Sequence, residues 1–172
     1  MEANENQLIR QAQSGDESAF ARLVTRYDRR ILQIAHAILN DLSESQDVYQ
    51  ETFIRAFQHL PSFRFECGFG TWLTRIAINR ARSRLRRQRV RQFLALDEGT
   101  TASERTTPEE SLQQQMLREA VARLPGRCKT VVILKYFQGY KIKEIAEILQ
   151  CREGTVKNYL FRAVEKLRAS FL

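Results

Sequence analysis

Apolar residues return every three or four positions along nearly the whole chain, and no stretch alternates apolar with polar long enough to form a strand. Leu8, Ile9 and Ala12 mark a short first helix, which Ser14-Gly15-Asp16 ends. Asp16 offers an N-cap for a second helix, whose stripe of Phe20, Leu23, Val24, Tyr27, Ile31, Ile34, Ala35 and Ile38 runs to about Leu39. Asn40-Asp41 breaks it. Ser43 or Ser45 then caps a helix with Val48, Phe53, Ile54 and Phe57 inward, ending at Leu60-Pro61. Residues 61–70 (PSFRFECGFG) read as an aromatic loop, and Thr71 caps a helix carrying Trp72, Leu73, Ile76, Ala77 and Leu85 to about Gln92. From Leu94 to Ser111 the periodicity fails in a Thr/Ser/Glu-rich stretch containing Pro108, the composition of a linker. Four further helical segments follow: Glu109–Leu124, Arg127–Phe137, Lys141–Leu149 and Glu153–Phe171. The pattern predicts an all-α chain of two small helical domains, residues 1–93 and 112–172, joined by a flexible linker over 94–111.

Charge sharpens that division. Residues 1–93 hold 15 Lys/Arg against 10 Asp/Glu, residues 116–172 hold 12 against 5, and residues 94–115 hold 1 against 5. Two basic blocks flanking an acidic connector point to a polyanionic partner. No apolar run approaches the roughly 20 residues that cross a bilayer, and the polar start MEANENQLIR is unlike a secretory signal. Cys67, Cys128 and Cys151 are widely spaced, and with His36 and His59 they form no metal-ligand pattern. Scattered thiols suit a cytoplasmic protein with no membrane insertion.

The clearest constellation lies in the second block. Lys141–Leu149, a tight connection at Gln150–Glu153 and a longer helix make a helix-turn-helix pattern. Its first helix turns Ile142, Ile145, Ala146 and Leu149 inward, and its second turns Val156, Leu160, Ala163, Val164 and Leu167 inward. Gly154 is expected to allow a close approach to a neighbour. Removing the buried face leaves Lys157, Asn158, Phe161 and Arg162 outward near the start of the second helix, where a recognition helix meets base edges in the major groove. Lys and Arg reach guanine acceptors or phosphates, Asn pairs with adenine, and Phe meets thymine methyls.

The first block carries features that duplex recognition alone does not need. Arg75, Arg80, Arg82, Arg84, Arg86, Arg87, Arg89 and Arg91 share one helix, and no acid lies between Cys67 and Leu96. Such a helix is expected to be stabilised when phosphates neutralise it. In front of it stand Phe63, Phe65, Phe69 and Trp72, interleaved with Arg64. Aromatics beside a cationic track are suited to unstacked bases, each stack contributing roughly 1–3 kcal/mol. Trp72 and Phe69 fit the core, which leaves Phe63 and Arg64 as the contacting pair. Asp47, Gln50, Glu51 and Arg55 make a polar outer stripe with no neighbouring basic patch in the sequence.

Taken together, LIRQAQSGDESAFARLVTRY, SQDVYQETFIRAFQHLPSF, FGTWLTRIAINRARSRLR and YKIKEIAEILQCREGTVKNYLFRAVEKLR resemble the extracytoplasmic-function (ECF) sigma factors of the sigma-70 family over nearly the whole chain. The resemblance implies a sigma-2-like domain at 1–93 and a sigma-4-like helix-turn-helix domain at 112–172. It implies that Asp47, Gln50 and Glu51 dock the clamp helices of the polymerase β′ subunit. It places Phe63, Arg64 and Asn79 at the capture of a flipped −10 base, and Arg75, Arg80 and Arg84 of the basic helix are expected to bind the same −10 DNA. Lys157, Asn158, Phe161 and Arg162 fall where the family reads the −35 duplex, and the first helices of the second block would dock the β flap. Asn158-Tyr159 replaces a common Ser-Arg pair, and the ECGFG loop also departs from common versions, so promoter sequences do not transfer from relatives.

The expected role is therefore a non-enzymatic sigma factor that directs core RNA polymerase to promoter DNA, is restrained by an anti-sigma factor and is monomeric when free. It needs no cofactor. The chain offers no Ser/His/Asp set, phosphate-cradling Gly loop or ligand cluster. The alternative is a conventional helix-turn-helix regulator with an N-terminal sensing or dimerisation domain, which would have no use for the aromatic loop.

Overall fold

The computed structural model describes residues 2–94 and 112–171. Among them the regular elements are all helical: α1 (Glu2–Gln13), α2 (Glu17–Leu39), α3 (Leu42–His59), α4 (Phe69–Leu94), α5 (Leu112–Ala122), α6 (Gly126–Val132), α7 (Ile142–Leu149) and α8 (Glu153–Ser170). A 3₁₀ turn at Leu60–Ser62 follows α3, and a π-turn at Ile133–Phe137 extends α6. The acidic connector expected over 94–111 lies, from residue 95 onward, outside the described residues, as do the first residues of the helix expected from Glu109.

The helix boundaries follow local chemistry. The Asp16 carboxylate caps α2, accepting from the amides of Ser18 at 2.9 Å and Ala19 at 3.1 Å. Asn40 ends that helix in the left-handed conformation, φ 55°. The cap of α3 is Asp41, which accepts from Glu44 N at 2.8 Å, rather than Ser43 or Ser45; Ser45 is buried within the helix. Nor is Thr71 a cap. α4 starts two residues earlier, at Phe69, and Gly70 lets its first turn lie against the Tyr27 ring. A Cβ at Gly70 would stand 2.8 Å from Tyr27 Cε1, so any larger residue there requires the Tyr27 ring to shift. Gly154 has open space around it, so it serves no close approach.

Besides a small cluster of Val121, Leu124, Cys128, Val132 and Ala163 that seats α8 on α5 and α6, two larger cores run through the molecule. Leu8, Ile9, Leu23, Ile31, Phe53, Leu60, Leu73 and Ala77 join α1 to α4 in one. The other crosses from the first half to the second: Ile34, Ile38, Val48, Ile78 and Ala81 pack in one cluster with Leu134, Tyr140, Ile145, Ile148 and Val156. The halves are therefore packed on each other, with α4 against α7 and α2 against the π-turn. Polar contacts reinforce this seam. The hydroxyls of Thr74 and Tyr140 lie 2.8 Å apart, Arg75 donates to the Glu147 carbonyl at 2.8 Å, and the buried Lys129 ammonium donates to the Ile38 carbonyl at 2.9 Å. Ile38 sits at the C-terminal end of α2, where the helix dipole favours a cation.

Leu73 is fully buried in the first core. Leu73→Ala should cost about 2–5 kcal/mol through lost burial and the cavity left behind, measured by equilibrium urea unfolding of the whole chain.

Candidate nucleic-acid interface

α8 lies on α7 and α6 through Val156 and Ala163, both fully buried. This anchoring turns Lys157, Asn158, Phe161 and Arg162 to solvent, as the periodicity predicts. Phe161 is 65% exposed on an otherwise polar face. The exposed ring gives this helix face an apolar contact surface among its polar and basic side chains.

The aromatic loop is arranged differently from the expectation. Phe63 is 6% exposed and sits beneath Phe65, Phe69 and Trp72, with ring centroids 5.0, 5.7 and 5.1 Å away. It plugs the end of the first core and presents no free face to a base. Its backbone is pinned as well, because Gln13 Nε2 donates to the carbonyls of Leu60 at 3.0 Å and Phe63 at 2.9 Å. The ring with an accessible surface is Phe65, 37% exposed, whose backbone occupies the left-handed region at φ 59°. That conformation costs a bulky residue on the order of 1–3 kcal/mol, and it lifts the side chain out of the loop. The Arg10 guanidinium lies 5.7 Å from the Phe65 ring centroid. Arg64 is exposed beside it, and Asn79 is exposed on α4. Sequence spacing alone could not separate Phe63 from Phe65; the left-handed residue between two loop segments carries no apolar signature.

The arginines of α4 divide by face. Arg80 donates to Glu51 through Nε at 2.8 Å, and Arg84 reaches Glu44, Asp47 and Glu51, the last at 3.5 Å. The hydrogen bond that Arg84 donates to Glu44 raises Arg84 above the ordinary arginine value, with the charges of Glu44, Asp47 and Glu51 adding to it. Arg80 and Arg84 are thus neutralised by α3 rather than open to phosphates. The acid stripe of α3 does have a basic neighbour, 29 to 40 residues away in sequence and adjacent in space. Arg75 turns to the seam between the halves, where its Nε is buried without a partner. These three are therefore engaged within the chain. Arg82 and Arg86 lie on the other face, lining a cleft with Asn79.

Asp47, Gln50 and Glu51 remain on one outer stripe of α3, and Ile54 extends it. Ile54 and Phe57, expected inward, are 56% and 46% exposed, because the buried face runs through Ser45, Val48, Thr52, Phe53 and Ala56. Ile54 is seven residues after Asp47, two helical turns along the same stripe, and that spacing could have revealed it.

With these surfaces in view, comparison with known proteins is informative. The Sigma-70 region 2 family matches residues 23–91, and Sigma-70 region 4 matches residues 114–167. The RNA polymerase sigma-H factor of Pseudomonas aeruginosa is 35% identical over 95% of this chain and 91% of its own length. The ECF RNA polymerase sigma factor SigW of Bacillus subtilis is 33% identical over 98% of this chain and 97% of its own. The chain belongs to the ECF sigma factors of RNA polymerase. The solved structure of CnrH in complex with the cytosolic domain of CnrY shares the architecture of this sigma factor, with a TM-score of 0.74 at 26% identity over 96% of both chains. The sigma factor RpoE in complex with the anti-sigma factor NepR from Bartonella quintana has the same fold, with a TM-score of 0.72 at 21% identity over 88% of this chain and 96% of that one. No helix among the described residues of this sigma factor is long and apolar enough to cross a membrane.

Arg84→Ala would leave three neighbouring carboxylates without their shared cation. In low salt it should lower unfolding stability by about 1 kcal/mol, the scale of partly exposed ion pairs. The difference should shrink in 0.5 M salt as screening grows, checked by urea unfolding at both ionic strengths.

Proposed function

We propose that this sigma factor reads paired −35 DNA with Lys157, Asn158, Phe161 and Arg162 of α8, and holds an unpaired −10 base with Arg64 and Phe65 of the loop and Asn79 of α4. The observation that carries the reading is the exposed face of α8, with Phe161 set between basic residues. Phe63 supports the loop from below, and Phe65 supplies the stacking face. The outer stripe Asp47, Gln50, Glu51 and Ile54 docks core polymerase; the exposed Ile54 gives it the apolar centre that protein interfaces require. This chain supplies no catalytic group, and nucleotide chemistry stays with the polymerase. An anti-sigma partner would cover these same faces, and the protein works in the cytoplasm.

The packed halves must separate for this role. Elements named −10 and −35 are about 25 base pairs apart, roughly 80 Å at 3.4 Å per step. A compact chain of 172 residues has a radius of gyration of only about 16 Å. The 17 residues from 95 to 111 can reach at most ~60 Å when extended, enough to bridge separated domains. Separation would also release Arg75 from Glu147 and expose it beside Asn79.

In gel shifts on promoter DNA, the free chain should bind weakly and the complex with core polymerase tightly; equal binding without polymerase would favour a conventional regulator. Lys157→Ala or Arg162→Ala should weaken promoter duplex binding by the holoenzyme by about 1–3 kcal/mol. Phe65→Ala should reduce open-complex formation roughly 5- to 150-fold, the loss of one stacked base, while duplex binding at −35 is spared. Permanganate reactivity of unpaired thymines measures the first and footprinting the second. Phe63→Ala should instead lower the stability of the free chain by about 3–5 kcal/mol.

A further inference from the structure

The seam between the two halves contains a cleft of ≈ 670 Å³. Arg55 from α3, Asn79, Arg82, Ser83 and Arg86 from α4, and Arg127 from α6 line it. Arg80 lines the cleft as well but is paired with Glu51; among the described residues, Arg55, Arg82, Arg86 and Arg127 have no carboxylate partner. Four guanidinium groups thus converge on one hollow without a counter-charge. Arg82 is half-buried there, and burial followed by the like charge of Arg127 pushes it below the ordinary arginine value. Arg127 is held in place by lying 5.9 Å from the Tyr159 ring centroid. Arg82 and Arg127 belong to opposite halves, so their repulsion opposes the packing that brings them together.

An anion seated between them reverses the sign of that term. Guanidinium forks match phosphate oxygens with paired hydrogen bonds, and Asn79 and Ser83 add neutral side-chain donors. Several cations distributed around a hollow of this size suit a short chain of phosphoryl groups better than one monoanion. We propose that this cleft is a binding site for a small oligophosphate, inorganic or the phosphate tail of a nucleotide, and that the bound anion clamps the two halves together. The site is complete only while the halves are packed, because Arg127 leaves it when they part. The clamp therefore favours the packed form and opposes promoter engagement. That last consequence rests on the function proposed above; the binding itself does not.

The test uses the free full-length chain without polymerase or promoter. Tripolyphosphate and magnesium-free ATP are titrated by calorimetry into wild type, Arg82→Ala, Arg127→Ala and Arg168→Ala, the last an exposed arginine outside the cleft. Amide exchange of α7, which packs against α4, reports the seam. We expect one-to-one binding by at least one of the two probes, weakened about tenfold in both cleft variants and unchanged in Arg168→Ala. We also expect slower α7 exchange when the anion is bound to wild type. Tighter binding of ATP would identify a nucleotide source and tighter tripolyphosphate an inorganic one. Arg127 is exposed, and Arg127→Lys, which keeps the charge, should retain more affinity than Arg127→Ala in a chain of wild-type helicity. Loss in Arg82→Ala but not in Arg127→Ala would overturn the clamp. So would equal loss in Arg168→Ala, or a short single-stranded DNA of matched charge that binds as tightly and ignores Arg127. Failure here leaves the promoter assays untouched, because those depend on polymerase and on other residues.

Discussion

The structure depends on the burial of α7 between α8 and α4. Ile145 and Ala146 are inaccessible, and so is Ile148, which lies off the stripe that a two-helix unit would need. α7 therefore completes two packing arrangements at once: the helix-turn-helix with α8 and the junction with the first half. The same core that fixes the angle of α8 also ties it to α4. Apolar burial holds the junction, while Thr74, Tyr140, Arg75 and Lys129 fix its register by satisfying polar groups that would otherwise be buried unpaired.

Electrostatics divides α4 into two faces with different consequences. One face is neutralised by the acids of α3, which binds two helices of the first half and gives the proposed polymerase-docking stripe a defined shape. The other face stays cationic and meets Arg127 across the seam. A helix this rich in arginine would repel itself if all its charges pointed the same way. Splitting them between the acids of α3 and a cationic cleft keeps the charges from all pointing the same way.

Much of this was legible in the sequence. The Asp16 cap, the stripe of α2 and the outward set on α8 depend on neighbours within a few residues, and periodicity records such neighbours directly. The family's segments were equally plain, since they run nearly the whole length of the chain. What escaped was non-local. Nothing in the spacing of Ile78 or Ile148 says that they share a core, because an inward isoleucine looks the same whatever it packs against. The pairing of Arg84 with Glu44 and Asp47 was hidden for the same reason, and so the arginine helix read as uncompensated. Phe63, expected to contact DNA, is buried against Phe65, Phe69 and Trp72, a packing that the spacing of aromatics in the loop does not reveal.

The halves are packed in the free chain and, under the proposed function, part when the holoenzyme engages its promoter. Spin labels at Lys143 in α7 and Gln58 in α3, both exposed, would report the separation by pulsed dipolar spectroscopy. A single short distance is expected in the free chain, lengthening by tens of ångströms in the polymerase–promoter complex. A distance that stays the same when the holoenzyme occupies its promoter would contradict the parting of the halves.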